Sequence, residues 1–196
     1  MIKPDIFRKI TDIWGKPSVD LFAFRLNHQV SWYVSWKPDP GAAFIDAFSI
    51  TWDKQLLYAF PPFSLIARCL QKIQTDSAEG FMIVPMWPTQ SCYSKLLHML
   101  VDVPRILPSQ QTSLQMRGMK QEVHLLAKKL VLIVCRLSGS PTRHRDFLKR
   151  QPLLSYSLGG KEPLSSTPHT SKDGLYIAFK NGLIQFLPLL PKRYIF

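Results

Sequence analysis

The stretch that decides the fold is a double-proline corner, Leu56-Leu57-Tyr58-Ala59-Phe60-Pro61-Pro62-Phe63-Ser64. A proline disfavours helical geometry at the residue before it, so two successive prolines hold the backbone extended before it turns. The apolar run before the corner is typical of a strand, and the residues from Ser64 to Ile73 repeat apolar side chains at helical spacing. A strand, a rigid corner and a helix are typical of a ligand site at the carboxyl end of a parallel strand. An edge strand ending in a plain loop would have the same pattern.

The elements on either side of the corner alternate between strand and helix. Amphipathic spacing predicts helices over 4–14 and 93–101, and short apolar runs predict strands over 19–23, 32–36, 80–85, 105–107 and 129–137. This alternation predicts an α/β fold with a mixed, mainly parallel sheet and flanking helices. The strand over 129–137 follows a loop rather than a helix, so it is free to run antiparallel.

The composition changes at Ser138, where glycine, serine and proline become frequent. We therefore divide the chain into an α/β domain over 1–137 and a basic, largely disordered and flexible tail over 138–196. Within the tail, Arg143 to Arg150 has enough helix formers for one or two turns. Two apolar patches, 175–179 and 183–190, are too short to fold alone, and we expect them to dock on a domain outside this chain.

The chain is strongly basic, with 25 Lys and Arg against 13 Asp and Glu and a net charge of +12. Residues 1–137 and 138–196 each contribute +6, so the shorter segment is more than twice as basic per residue. This balance favours weak, electrostatic binding of nucleic acid, although a solvated basic surface would have the same composition. Five aromatic residues could stack on bases or pack in the core: Trp32, Tyr33, Trp36, Trp52 and Trp87.

Several other classes of protein are disfavoured. The three cysteines, Cys69, Cys92 and Cys135, form no Cys-x-x-Cys pair and have no histidine at zinc spacing, so no metal site is expected. An odd cysteine count and the lack of an apolar leader favour reduced thiols in the nucleus or cytoplasm. The longest aliphatic run, 130–135, is too short to cross a membrane.

Residues scattered over the first ninety positions resemble one enzyme family, the phage-type DNA adenine N6-methyltransferases. They are Asp20-Leu21-Phe22-Ala23, Asn27, Tyr33, Pro61-Pro62-Phe63, Ile83-Val84-Pro85 and Trp87. The resemblance implies a Rossmann-like sheet that binds S-adenosylmethionine at its strand ends. It also implies that Asp20 and Asn27 contact this cofactor, that Pro61 and Pro62 fix the corner, and that Phe63 stacks on a flipped-out adenine.

The corner departs from this family at Phe60, where the chemistry needs Asn, Asp or Ser to accept a hydrogen bond from the target amino group. Loss of such a transition-state hydrogen bond typically costs about 2–4 kcal/mol. No glycine-rich cofactor loop follows the first strand either. We therefore expect a degenerate catalytic corner (Phe60, Pro61, Pro62, Phe63), with no cofactor unless the site for S-adenosylmethionine is intact.

A second resemblance covers nearly the whole chain. Longer phrases are similar to polyproteins of tyrosine-recombinase retrotransposons of the DIRS group: 19–23, 33–41, Asp46-Ala47-Phe48, 58–63, 83–90 and 135–139. In these transposable elements the corresponding region lies between the RNase H and recombinase domains. The resemblance implies that the chain is a polyprotein fragment, that neighbouring retroelement domains are its partners, and that the tail leads into the recombinase.

Together these observations predict a retrotransposon-derived, methyltransferase-like domain that is catalytically inactive and binds nucleic acid weakly. Two alternatives stay open. The chain could be an active DNA adenine N6-methyltransferase, or a structural spacer between the RNase H and recombinase domains.

Overall fold

The computed structural model describes residues 1–53, 55–109, 113–114, 130–152, 176–180 and 182–190. The α-helices in these ranges are α1 (Pro4–Trp14), α2 (Ile66–Thr75), α3 (Ser91–Leu97) and α4 (Pro141–Lys149). The strands are β1 (Val19–Asp20), β2 (Val34–Ser35), β3 (Phe44–Ile45), β4 (Leu56–Ala59), β5 (Glu79–Pro85), β6 (Arg105–Ile106), β7 (Leu132–Ser138), β8 (Tyr176–Phe179), β9 (Gly182–Gln185) and β10 (Leu187–Pro188). None of the helices in the described ranges has the length and apolar character needed to cross a bilayer.

The central sheet has six strands in the order β1-β4-β5-β7-β6-β10. All of them run in one direction except β7, which pairs antiparallel with β5 and β6. The longest pairing joins β5 to β7, from Glu79 opposite Ser138 to Pro85 opposite Leu132. The expected α/β class with a mixed, mainly parallel sheet is confirmed.

Strands β2 and β3 form a parallel ribbon that continues the sheet beyond β1. A parallel bridge joins Asp20 of β1 to Tyr33, and Asp20 N donates to Trp32 O at 2.9 Å. With the ribbon included, the strand order is β3-β2-β1-β4-β5-β7-β6-β10. The ribbon thereby covers the outer edge of β1.

Helices pack on both faces of the sheet, which gives three layers. On one face, α1 buries Ile6, Phe7 and Ile10 against a cluster that includes Tyr58 and Phe81. On the other face, the buried sides of α2, α3 and α4 join a larger cluster with alternate residues of β4, β5 and β7. The central strands are therefore buried on both sides, as expected for an α/β sheet.

The segment after Ser138 differs from the predicted disordered linker wherever the structure describes it. Phe147 of α4, Ile184 of β9 and Phe186 are at most 2% exposed and belong to the core of the sheet domain. Strand β10 pairs with β6 at the edge of the sheet. The apolar patch over 183–190 thus packs on this chain's own core rather than on a missing domain, because an existing apolar surface makes its burial favourable. Residues 153–175 and 191–196 lie outside the described residues.

Candidate functional site

A cleft of about 760 Å³ opens where β1 and β4 end at the carboxyl edge of the sheet. This volume lies within the range of small-molecule sites. The structure brings together in this cleft all six residues singled out from the sequence: Asp20, Asn27, Phe60, Pro61, Pro62 and Phe63. The cleft is therefore the candidate functional site.

The double-proline corner forms one wall of the cleft. Strand β4 ends at Ala59, Pro62 is extended with φ −51° and ψ 139°, and a 3-10 turn follows over Phe63–Leu65. Leu65 N donates to Pro62 O at 2.9 Å, and α2 begins at the next residue. This geometry turns Phe63 outward, where its side chain is 37% exposed.

Phe60 occupies the position at which the resemblance implies a hydrogen-bond acceptor. Its half-buried ring lines the cleft and also packs against the apolar cluster beneath α1. A phenyl ring accepts no conventional hydrogen bond from an amino group. At this position the wall of the cleft is therefore apolar.

Asp20 is a buried carboxylate, 2% exposed, at the end of β1. Its Oδ2 accepts from Gln29 N at 3.0 Å and its Oδ1 accepts from Phe22 N at 3.4 Å, so it holds the loop that follows the strand. Burial raises the pKa of Asp20 from 3.8 to about 6, against the opposing effects of these two hydrogen bonds and of His28. The pKa of the neighbouring Tyr58 is also raised, first by burial and then by the charge of Asp20.

Other polar side chains around the cleft also bind the main chain. Asn27 Oδ1 accepts from Phe24 N at 2.7 Å, and Asp46 Oδ1 accepts from Phe48 N at 3.0 Å. Gln29 Nε2 donates to Ile2 O at 2.7 Å. These groups stabilise the loops that surround the cleft, and their hydrogen bonds compete with any contact to a ligand.

Aromatic rings and one guanidinium also line the cleft. The rings of Phe22 and Phe48 meet edge to face with centroids 5.8 Å apart, and the guanidinium of Arg68 lies 3.9 Å from the Phe48 centroid. Sequence reasoning missed Phe48 and Arg68 as site residues. The available signals were the Asp-x-Phe turn at 46–48 and the position of Arg68 on α2, one helical turn after the corner.

The residues present fit S-adenosylmethionine only in part. The cleft is large enough for a nucleoside, and Phe22 and Phe48 offer apolar contacts for its base. Asp20 lines the cleft, but it is only 2% exposed and main-chain N–H groups already bind both of its oxygens, so little of its carboxylate is accessible to a cofactor. The loop over 21–32 contains no glycine, so its side chains limit close approach of the main chain to a ligand. In the described ranges, no three His, Cys, Asp or Glu side chains come together as metal ligands.

The structure separates the five aromatic residues considered for base stacking into two groups. Tyr33 and Trp52 are 3% and 1% exposed, and Trp52 Nε1 donates to Ala47 O at 2.7 Å, so both are packing residues. Trp32, Trp36 and Trp87 are 56%, 73% and 38% exposed. Only these three present a ring surface to solvent.

Comparison with protein-family models gives no match, and comparison with curated proteins gives no significant match. No family membership follows from these comparisons.

Proposed function

We propose that the chain is a retrotransposon-derived, methyltransferase-like domain that binds nucleic acid weakly at the cleft and transfers no methyl group. The observation that carries the proposal is the cleft itself. It lies at the carboxyl ends of two adjacent parallel strands, it contains the double-proline corner, and its wall has a phenyl ring where an acceptor is required.

The strand order supports a Rossmann-like fold. The order β3-β2-β1-β4-β5 followed by β6 is the Rossmann order 3-2-1-4-5-6, with the antiparallel β7 inserted between β5 and β6. In such sheets the ligand binds where the order reverses, which here is between β1 and β4. One departure is that loops and a 3-10 turn, rather than α-helices, connect β1, β2, β3 and β4.

The lining of the cleft supports the loss of catalysis. Methyl transfer to an exocyclic amino group requires an acceptor that binds the amino proton, and Phe60 cannot supply it. The carboxamide of Asn27 and the carboxylate of Asp20 each bind main-chain N–H groups of their own loop. A missing acceptor alone slows such a reaction by about a hundred- to a thousandfold.

Methyl transfer is tested with radiolabelled S-adenosylmethionine and adenine-containing DNA, single-stranded and duplex. We expect no incorporation above background, and calorimetry with the cofactor alone should show no strong binding. Incorporation by the wild type that is lost in Pro61→Ala would overturn the proposal and favour an active methyltransferase.

Nucleic-acid binding at the cleft is tested with two matched charge reversals. Arg68 lines the cleft, whereas Arg145 lies on α4, and both side chains are exposed. Helix α4 begins at the opposite end of the sheet, because its Arg143 pairs with Glu79, the first residue of β5. We expect Arg68→Glu to weaken binding several-fold in fluorescence anisotropy, and Arg145→Glu to change it little.

The dependence on salt completes this test. Binding through Lys and Arg contacts must weaken steeply as salt rises. Equal losses in the two variants would place binding on the general basic surface instead of the cleft. Absence of any salt-dependent affinity would favour the structural spacer.

A further inference from the structure

We propose that the rim of the cleft takes single-stranded nucleic acid in preference to duplex, on a row of four aromatic rings. The inference rests on the proposed nucleic-acid binding and specifies its ligand. It arises from the way in which the parallel strands place side chains along one edge of the sheet.

Each ring of the row follows a different strand. Phe24 follows β1, Trp36 follows β2, Phe63 follows β4 and Trp87 follows β5. These strands are neighbours in the order β2-β1-β4-β5 and all run in one direction. The sheet therefore presents the rings in the order Trp36, Phe24, Phe63, Trp87.

All four rings are accessible. Their exposed fractions are 73% for Trp36, 40% for Phe24, 37% for Phe63 and 38% for Trp87. Phe63 and Trp87 touch edge to face with centroids 5.2 Å apart, and the first three residues line the cleft. Four large apolar side chains exposed along one edge are more than the isolated exposed residues common on protein surfaces.

The spacing of the row suits a nucleic-acid strand. Adjacent strands lie about 4.8 Å apart, so the four strands that precede the rings span on the order of 15 Å. At a stacked spacing of about 3.4 Å per nucleotide, this length corresponds to roughly four nucleotides. Every base has a flat face that can stack on an aromatic side chain, which makes such a row tolerant of sequence.

Cationic groups accompany the rings. Lys37 Nζ lies 4.2 Å from the Trp36 ring centroid, Arg25 follows Phe24, and Arg68 lies in the cleft. The carboxylate of Asp39, in the turn after Trp36 and Lys37, accepts from Arg25 N at 2.8 Å and from Gly41 N at 3.1 Å. Aromatic surface interleaved with Lys and Arg is the combination that binds single strands without sequence preference.

The exposed rings distinguish single strands from duplexes. A ring can stack only on a base whose face is free, and the internal bases of a duplex already stack on their neighbours. A single strand offers each of its bases to the row. A continuous duplex offers only its ends and the charge of its phosphates.

The test compares a 12-nucleotide oligo-dT, a 12-nucleotide oligo-U and a 12-base-pair duplex by fluorescence anisotropy and by quenching of tryptophan emission. We expect at least one single strand to bind about tenfold more tightly than the duplex. Trp36→Ala should weaken binding of that strand by roughly 5- to 100-fold. Trp32→Ala is the matched control, because Trp32 is 56% exposed but lines a separate pocket beside Phe44.

Phe24→Ala is a second, independent variant and should also weaken single-strand binding. Tighter binding of either single strand than of the duplex supports the proposal. The difference in affinity between oligo-dT and oligo-U identifies DNA or RNA as the preferred ligand. If the duplex binds as tightly as the strands, or if Trp36→Ala and Trp32→Ala behave alike, the single-strand preference is overturned and nucleic-acid binding stands. If no probe shows salt-dependent binding, both proposals fail.

Discussion

At the scale of single residues, Asp20 shows how a buried charge shapes the cleft. Its carboxylate receives main-chain hydrogen bonds from Phe22 and Gln29, so it fixes the loop after β1 while lying almost out of reach of solvent. That Asp20 lies in a strand could be predicted from the apolar run around it. Its role in fixing the loop after β1 could not be predicted, because the hydrogen bond from Gln29 comes from nine residues further along the chain.

The raised pKa of Asp20 predicts a change of stability with pH. Because the folded-state pKa is about 6 against an ordinary 3.8, the folded protein holds this proton more tightly than the unfolded chain. The contribution of Asp20 to stability should therefore fall as pH rises from about 4 to about 6, by roughly 3 kcal/mol, and stay constant above that range.

This prediction is checked by urea unfolding of the wild type and of Asp20→Asn at several pH values. The amide stays neutral, so the difference between the two proteins isolates the titration of Asp20. We expect Asp20→Asn to gain stability over the wild type between pH 4 and pH 6. A difference that does not change with pH would contradict the buried, high-pKa carboxylate.

The double-proline corner is the feature that sequence predicts best at this scale. Proline acts on its own φ and on the residue before it, so Pro61 and Pro62 determine the corner without help from distant residues. The surroundings of Phe60 are different. Its contacts with the cluster beneath α1 depend on how that helix crosses the sheet, which no local pattern specifies.

At the scale of elements, close contact between neighbouring strands restricts the choice of side chain. Gly80 of β5 lies opposite Leu57 of β4, and a Cβ at Gly80 would come within 2.5 Å of Leu57 O. We expect Gly80→Ala to reduce the free energy of unfolding by about 2 kcal/mol or more, because the strands would have to separate.

Gly182→Ala in β9 is the control for this substitution. A Cβ at Gly182 would meet its nearest atom at 3.5 Å, an ordinary contact. Its stability should lie within about 0.5 kcal/mol of the wild type or rise slightly. Chemical denaturation measures both variants, and equal effects would argue against the tight pairing of β4 with β5.

Helix α4 gives a second prediction at this scale. Phe147 is 2% exposed in the core, whereas Arg145 on the same helix is exposed. Phe147→Ala should cost about 3–5 kcal/mol, and Arg145→Ala less than about 0.5 kcal/mol. Thermal unfolding followed by circular dichroism compares them, and a neutral Phe147→Ala would mean that α4 does not pack on the sheet.

The sequence patterns predicted where the helices and strands lie better than they predicted their first and last residues. The helix predicted over 4–14 is confirmed as α1, but the strands predicted over 19–23 and 32–36 are two residues each. Their apolar residues continue past the ladder because the cleft and its surrounding loops also bury apolar side chains, including Leu21 and Ala23. The segment over 42–52, whose sequence is ambiguous between helix and loop, contains β3 and a 3-10 turn.

At the scale of the whole molecule, residues after 182 complete the edge of the sheet and the core. Leu187 of β10 lies opposite Arg105 of β6, and Ile184 and Phe186 complete the core. The alternation of helices and strands predicted the class of fold. The alternation could not predict that β10 pairs with β6, because pairing between positions about eighty residues apart leaves no local signal.

A truncation tests whether the far end is part of the fold. A fragment over 1–138 lacks α4 and β8 to β10, so it leaves the surfaces that Phe147 and Phe186 cover open to solvent. We expect a lower urea midpoint and a weaker near-ultraviolet circular dichroism signal than in a control fragment over 1–190, which keeps every described residue. Equal stability of the two fragments would support the predicted domain boundary near residue 137.

The row formed by Trp36, Phe24, Phe63 and Trp87 has one further consequence. Main-chain hydrogen bonds hold the strands that precede these four residues at a fixed spacing. If the row binds a single strand as proposed, exchanging one ring for another would change the affinity at that position and leave the spacing of the strands unchanged. The proposed affinity could therefore be adjusted one position at a time on an unchanged sheet.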